Sequence, residues 1–125
     1  MIQPSILLLI SASVSASAVA QILLKRGMSE PGIVSAISIG DGVSTILQIA
    51  SNPWIIGGFA LYISGAIAWL FVLSRIDAGL AYPFVGFGFI VTMFLGFFFL
   101  GEDIVPTRIA GAILIGSGLL LLGRG

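Results

Sequence analysis

The chain has 125 residues, 58% of them hydrophobic and only 8% charged, with five basic and five acidic side chains that cancel to a formal net charge of zero. A soluble domain of this length carries about 25% charged residues, so the composition excludes one and leaves a single membrane domain spanning residues 1–125. The absence of cysteine and histidine removes disulfide, thiol, haem and ordinary zinc chemistry and implies no cofactor or metal, and the lack of a basic run excludes nucleic acid as a partner.

Charged side chains fall between apolar stretches rather than inside them. Residues 1–24, 54–74 and 79–100 carry none, and 104–123 carries only Arg108, close to its start. Each stretch is about 20 residues long, enough for a helix to cross a hydrocarbon core of about 30 Å. Lipid admits only helices or closed barrels, and barrel strands alternate apolar and polar residues over about ten positions, a pattern not found here. The expected fold is all-α, with transmembrane helices over about 4–25, 54–74, 79–100 and 104–123.

In chain order, Met1-Ile2-Gln3-Pro4 has no basic residue and the first stretch has no convincing cleavage site, so a retained span is expected rather than a signal peptide. Within it Ser13, Ser17, Gln21 and Lys25 recur every four residues and form one stripe. An amide turned to lipid is costly, so the stripe faces protein or a cavity. It reads either as a line of hydrogen-bonding groups leading to an interfacial cation, suited to a polar or phosphorylated head group, or as small residues that let helices pack, with Gln21 as interhelical glue. Lys25 and Arg26 end the span at an interface, and Met28-Ser29-Glu30-Pro31-Gly32 breaks it. In the long connection to residue 53, Val43, Ile46, Leu47 and Ala50 repeat at helical spacing with Ser44, Thr45 and Gln48 between them, which predicts an amphipathic helix over about 42–51 on the membrane surface.

Asn52-Pro53 supplies an N-cap and first-turn pair for the second span, with Trp54 at interface depth. Gly58, Tyr62, Gly65 and Trp69 share one face, so Tyr62 and Trp69 either wall a substrate cavity or pack against small neighbours. After the short Ser74–Ala78 link, the third span opens with Gly79-Leu80-Ala81-Tyr82-Pro83 and continues through Gly86 and Gly88. Pro83 with these two glycines reads as a hinge for alternating exposure, or as simple packing. Glu102 is expected to cap the fourth span. In that span Gly111 and Gly118 lie seven residues apart on one face, which suggests a dimer seam or packing within the monomer. Short links make neighbouring spans antiparallel. Arg75 and Arg124 then lie on one side of the membrane, and Lys25, Arg26 and Arg108 on the other. That balance leaves two orientations open, either both adopted in an antiparallel dimer or one settled by a partner or by Lys25-Arg26.

Gly79-Leu80-Ala81-Tyr82-Pro83, then Leu100-Gly101-Glu102 and Gly111-Ala112-Ile113-Leu114-Ile115-Gly116-Ser117-Gly118 together resemble the repeat unit of the drug/metabolite transporter superfamily. The four-helix members are most similar, namely the small multidrug resistance proteins and the EamA-type single-repeat proteins. The resemblance implies a dimer of four-helix subunits, often antiparallel, with substrate between them and Gly111 and Gly118 at the dimer contact. Small multidrug resistance proteins place a glutamate eight residues before the lysine that ends the first helix; that position is Ser17 here. The tryptophan they place three residues after the third-helix tyrosine is Val85 here. No span holds an acidic residue, so proton-coupled export of cationic drugs through a buried carboxylate does not follow.

A nearer resemblance is to the aminoarabinose-phosphoundecaprenol flippase subunits, which share the Gln21…Lys25 ending of the first helix and the Ala81-Tyr82-Pro83 opening of the third. It implies transport of a polyprenyl-phosphate-linked sugar across the cytoplasmic (inner) membrane, with Tyr82 joining Ser13, Ser17, Gln21, Lys25, Tyr62 and Trp69 as candidate substrate residues. Lys25 and Arg26 could meet a phosphate at the interface. The expectation is a small homodimeric or heterodimeric flippase for a lipid-linked phosphate or sugar, with membrane lipids around it. Two alternatives stand beside it: an exporter or antiporter of small cations or polar metabolites, and a non-transporting partner subunit of a heterodimer. An enzyme is the weakest reading, because Arg75 and Asp77 lie across the membrane from Glu102 and Asp103 and cannot form one catalytic cluster in a subunit.

Overall fold

The computed structural model describes residues 3–124; Met1 and Ile2, part of the uncharged opening read above, and Gly125 lie outside them. In chain order the helices are α1 (Pro4–Met28), α2 (Pro31–Ile39), α3 (Gly42–Ser51), α4 (Pro53–Leu73), α5 (Ala78–Ala81), a 3₁₀ turn (Tyr82–Phe84), α6 (Val85–Leu100) and α7 (Pro106–Arg124). Four units are long and apolar enough to cross a membrane: α1, α4, the composite third span Ala78–Leu100, and α7. Hydropathy required this four-span, all-α architecture. Prolines punctuate it, since Pro4, Pro31, Pro53 and Pro106 each stand in the first turn of a helix, where the missing N–H breaks no intrahelical bond.

The first helix is the centre of the bundle and packs against both α4 and α6. Its Ile6, Ile10 and Val14 form a buried cluster with Val72 and Ala81, against which Trp69 and Phe84 are partly buried. Glycines on α4 bring the two backbones together. A Cβ added to Gly65 would lie 3.1 Å from the Ser13 carbonyl oxygen, and one on Gly58 would lie 2.9 Å from the Leu24 side chain. The fourth span packs on α6, and none of its residues is buried.

Where α1 ends and α4 begins, one side chain holds both. Asn52 caps α4, its Oδ1 accepting from the backbone N–H groups of Trp54 (2.9 Å) and Ile55 (3.2 Å). Its Nδ2 donates to the Gly27 carbonyl oxygen at 3.4 Å, a carbonyl in the last turn of α1. A side chain at Gly27 would run into Ile55 and Asn52. The Arg26 guanidinium lies over the Trp54 ring, 4.9 Å from its centroid, a cation–π contact at the membrane surface.

Two helices, not one, fill the connection between these spans. The sequence pattern pointed to the second, α3, whose N-cap Asp41 accepts from Ser44 N–H at 3.1 Å. It leaves Val43, Ile46 and Leu47 exposed. The first, α2, starts inside the Pro31-Gly32 segment that reads as a helix breaker, buries Ile33 and Ala36, and ends on Gly40 in the left-handed conformation. Proline ended α1, but its fixed φ also suited the next helix start.

Glu102 does not cap the fourth span. That helix begins at Pro106, and Glu102 belongs instead to the turn that ends α6. Gly101 adopts φ 70°, and the Glu102 N–H donates to the Gly96 carbonyl oxygen at 3.1 Å, which closes the end of α6.

Asn52→Ala removes the cap of α4 and the tie to α1 together, and is expected to cost about 1–2 kcal/mol of stability. Thermal unfolding of the purified chain reads this; an unchanged midpoint would mean that the two helix ends are held by other contacts.

Candidate functional site

Between α1, α4 and the third span lies a cavity of about 360 Å³, within the usual range of about 300–1,000 Å³ for small-molecule sites. Ser13, Ser17 and Gln21 reach its wall from α1, Tyr62 and Trp69 from α4, and Tyr82 from the 3₁₀ turn. These residues, named from sequence on three separate spans, thus converge on one space. Lys25 is not on its wall.

Helix geometry explains that difference. At 3.6 residues per turn a stripe at every fourth residue drifts by roughly 40° per step, so Lys25 is rotated roughly 120° around α1 from Ser13. Ser13 is accordingly buried against α4, Ser17 half-buried, and Gln21 and Lys25 exposed. The Ser13 hydroxyl donates to the Gly65 carbonyl oxygen at 2.7 Å, so its proton is committed to joining α1 and α4. Ser17 and Gln21 face the cavity further along.

The third span contributes Val85, Gly88, Phe89 and Thr92 to the same wall. Sequence reasoning passed over Thr92, although it sits four residues beyond Gly88 and so on the same helix face. Its Oγ1 donates to the Gly88 carbonyl oxygen at 2.7 Å, which leaves its lone pairs as acceptors toward the cavity. Of the three hinge candidates, Pro83 lies in the 3₁₀ turn, whereas Gly86 and Gly88 lie in regular helix. Both glycines are points of close approach: a Cβ on Gly88 would lie 2.8 Å from Val14 Cγ1 of α1, and one on Gly86 2.9 Å from Ile115 Cγ2 of α7.

A second, wider cavity of about 650 Å³ opens between α6 and α7 and shares Gln21, Phe89 and Thr92 with the first. The two therefore share part of a wall, with Trp69 and Tyr82 lining the first and Glu102 and Arg108 the second. Gly111 lines the second cavity. Gly118 does not, and a Cβ added to either glycine meets nothing within 4 Å.

The chemistry of the first cavity is that of neutral hydrogen-bonding groups between aromatic walls. No carboxylate lines it, so it has no acidic group with which to exchange a proton for a cation. Hydroxyl and amide groups in a low-dielectric surrounding suit a polar, hydroxyl-bearing guest that must not be held too tightly.

Comparison with known proteins gives relatives of the same size class. Over 79 residues the chain is 33% identical to a protein of Pseudomonas savastanoi pv. phaseolicola, covering 63% of this chain and 69% of the relative. Over 80 residues it is 34% identical to one of Photorhabdus laumondii subsp. laumondii, covering 63% and 71%. Each is named a probable 4-amino-4-deoxy-L-arabinose-phosphoundecaprenol flippase subunit ArnE. The chain belongs to the ArnE family of flippase subunits. The match to the ArnE subunit of Pseudomonas aeruginosa strain UCBPP-PA14, 35% over 60 residues, is shorter and spans about half of each protein, 48% of this chain and 52% of the relative. No family model and no solved structure matches the chain. Membership of the ArnE family agrees with the resemblance carried by Gln21…Lys25 and Ala81-Tyr82-Pro83.

The committed proton of Ser13 separates it from its neighbours in the stripe. Ser13→Ala is expected to lower stability by about 1 kcal/mol through loss of the α1–α4 bond, while Ser17→Ala leaves it within about 0.5 kcal/mol. Thermal unfolding of both variants in one detergent checks the pair, and equal losses would contradict the division of roles.

Proposed function

We propose that this chain is a subunit of a flippase that carries a polyprenyl-phosphate-linked amino sugar across the cytoplasmic membrane. The observation that carries the reading is the convergence of Ser17, Gln21, Tyr62, Trp69 and Tyr82 on one cavity without a carboxylate. Hydroxyl, amide and phenol groups there hydrogen-bond a sugar as it leaves water, and the aromatic faces pack against its ring. The polyprenyl chain stays in lipid and needs no protein channel. The ArnE relatives are named for the same substrate class, which supports the reading.

The transport unit is a pair of four-helix chains, formed by two copies or by this chain with a homologous partner. Support comes from α7, which buries none of its residues and keeps Gly111 and Gly118 open to a neighbouring helix. A partner seated there closes the open side of the second cavity. Lys25, one turn beyond Gln21 and exposed, stands where a lipid phosphate approaches from the membrane surface. The hinge reading becomes a flexing of the third span at the 3₁₀ turn around Pro83, with Gly86 and Gly88 letting α6 slide against α7 and α1.

Liposomes loaded with the amino-sugar lipid test the reading. Reconstituted chain, alone or with its homologous partner, is expected to expose the head group on the opposite leaflet; failure of both preparations would overturn it, and activity only with the partner would assign the heterodimer. Gly111→Val with Gly118→Val is expected to abolish assembly, read by cross-linking in membranes. An intact dimer would place the seam elsewhere. Lys25→Ala is expected to weaken binding of polyprenyl phosphate roughly tenfold with the dimer intact, and unchanged binding would remove Lys25 from the path.

A further inference from the structure

The gap between α6 and α7 is tight at one end and open at the other. Toward Arg124, a Cβ on Gly86 would lie 2.9 Å from Ile115 and one on Gly123 3.6 Å from the Phe84 ring. Toward Pro106 the helices part around the second cavity, and Gly111 has open space beside it. Two side chains of opposite charge, Glu102 and Arg108, line that open end.

Backbone geometry holds the carboxylate there. The left-handed turn at Gly101 and the bond from Glu102 N–H to the Gly96 carbonyl fold Glu102 back along α6. Its carboxylate then rests against Gly96, a buried glycine where any Cβ would collide with it. Arg108 is turned toward the loop instead, its Nη1 donating to the Asp103 carbonyl oxygen at 3.1 Å. That bond uses one of the five N–H donors of a guanidinium, and the others remain for a ligand.

Resting on the flippase reading, we infer that the second cavity docks a zwitterionic lipid head group, with Glu102 receiving the ammonium of an amino sugar and Arg108 the phosphodiester of the same molecule. One carboxylate and one guanidinium match one ammonium and one phosphate in number and sign. A bare polyprenyl phosphate leaves Glu102 facing an anion without a cation between them. A sugar whose nitrogen is acylated cannot supply the charge. Glu102 therefore decides specificity, and Arg108 supplies affinity common to all lipid phosphates. Gln21 and Thr92, shared by both cavities, receive the sugar as it moves inward.

Binding to the full chain in nanodiscs, measured by native mass spectrometry, tests this with three lipids: an amino-sugar polyprenyl phosphate, its N-acetylated form, and bare polyprenyl phosphate. The unaltered chain is expected to bind the free-amine form roughly tenfold more tightly than the N-acetylated form, the weight of one charge-assisted hydrogen bond. Glu102→Gln is expected to equalise the two, Gly96→Ala to do so by displacing the carboxylate without changing charge, and Arg108→Gln to weaken all three lipids alike. Equal binding of the amine and its N-acetylated form by the unaltered chain overturns the inference and leaves the flippase reading standing, and so does discrimination that survives Glu102→Gln. Binding of none of the lipids, by the chain alone and by the chain together with its homologous partner, overturns both. The comparison within the unaltered chain decides the matter even if a variant fails to fold.

Discussion

In lipid, burying apolar surface gives helices no reason to associate, because the hydrocarbon tails are as apolar as the side chains. What remains is close packing and the occasional hydrogen bond between helices. Both act at the same place here: Gly65 lets α4 approach α1 until the Ser13 hydroxyl reaches the Gly65 carbonyl at 2.7 Å. Further along, Gly58 admits Leu24 and Asn52 ties the helix ends, while Gly88 brings α6 against Val14. The first helix is thus fixed against two neighbours through glycines, and the position of every other span follows from it.

The same contacts define the space they leave. Beside the glycine contacts of α1, α4 and α6, Tyr62 and Tyr82 stand in the cavity wall, and Trp69 serves both that wall and the core cluster. The site is neutral because α1 gives its wall Ser13, Ser17 and Gln21 and no carboxylate. Charge is confined to the end where Glu102 and Arg108 stand, at interface depth, where both can remain hydrated without a guest. On the proposed reading, a head group entering from that end meets charge first and neutral hydrogen bonds afterwards, an order that recognises at the surface and avoids a deep trap within the bilayer.

Much of this was legible in the sequence because lipid imposes such a narrow code. Charge-free stretches of sufficient length gave the four spans, and period-four spacing placed Ser13, Ser17 and Gln21 on one face. Lys25, fourth in the same stripe, stands exposed beyond that wall, because a stripe at every fourth residue winds slowly around its helix. Two further features were hidden for reasons of backbone geometry. Pro31-Gly32 ended one helix in the sequence pattern yet starts α2 in the fold. Glu102 looked like a cap for α7, but the conformation of Gly101 turns it back onto α6. A residue just after a left-handed glycine points where that one φ angle sends it, and composition carries no trace of the direction.

Ser17 faces the path proposed for the head group. The chain has no native cysteine, so single substitutions can be labelled cleanly with a membrane-impermeant maleimide. Ser17→Cys should react, and saturating amino-sugar lipid phosphate should protect it, while Leu8→Cys, 73% exposed and facing lipid, should be inert with or without the lipid. Equal labelling at the two positions, or labelling of Ser17→Cys that the lipid leaves unchanged, would mean that the head group does not pass Ser17.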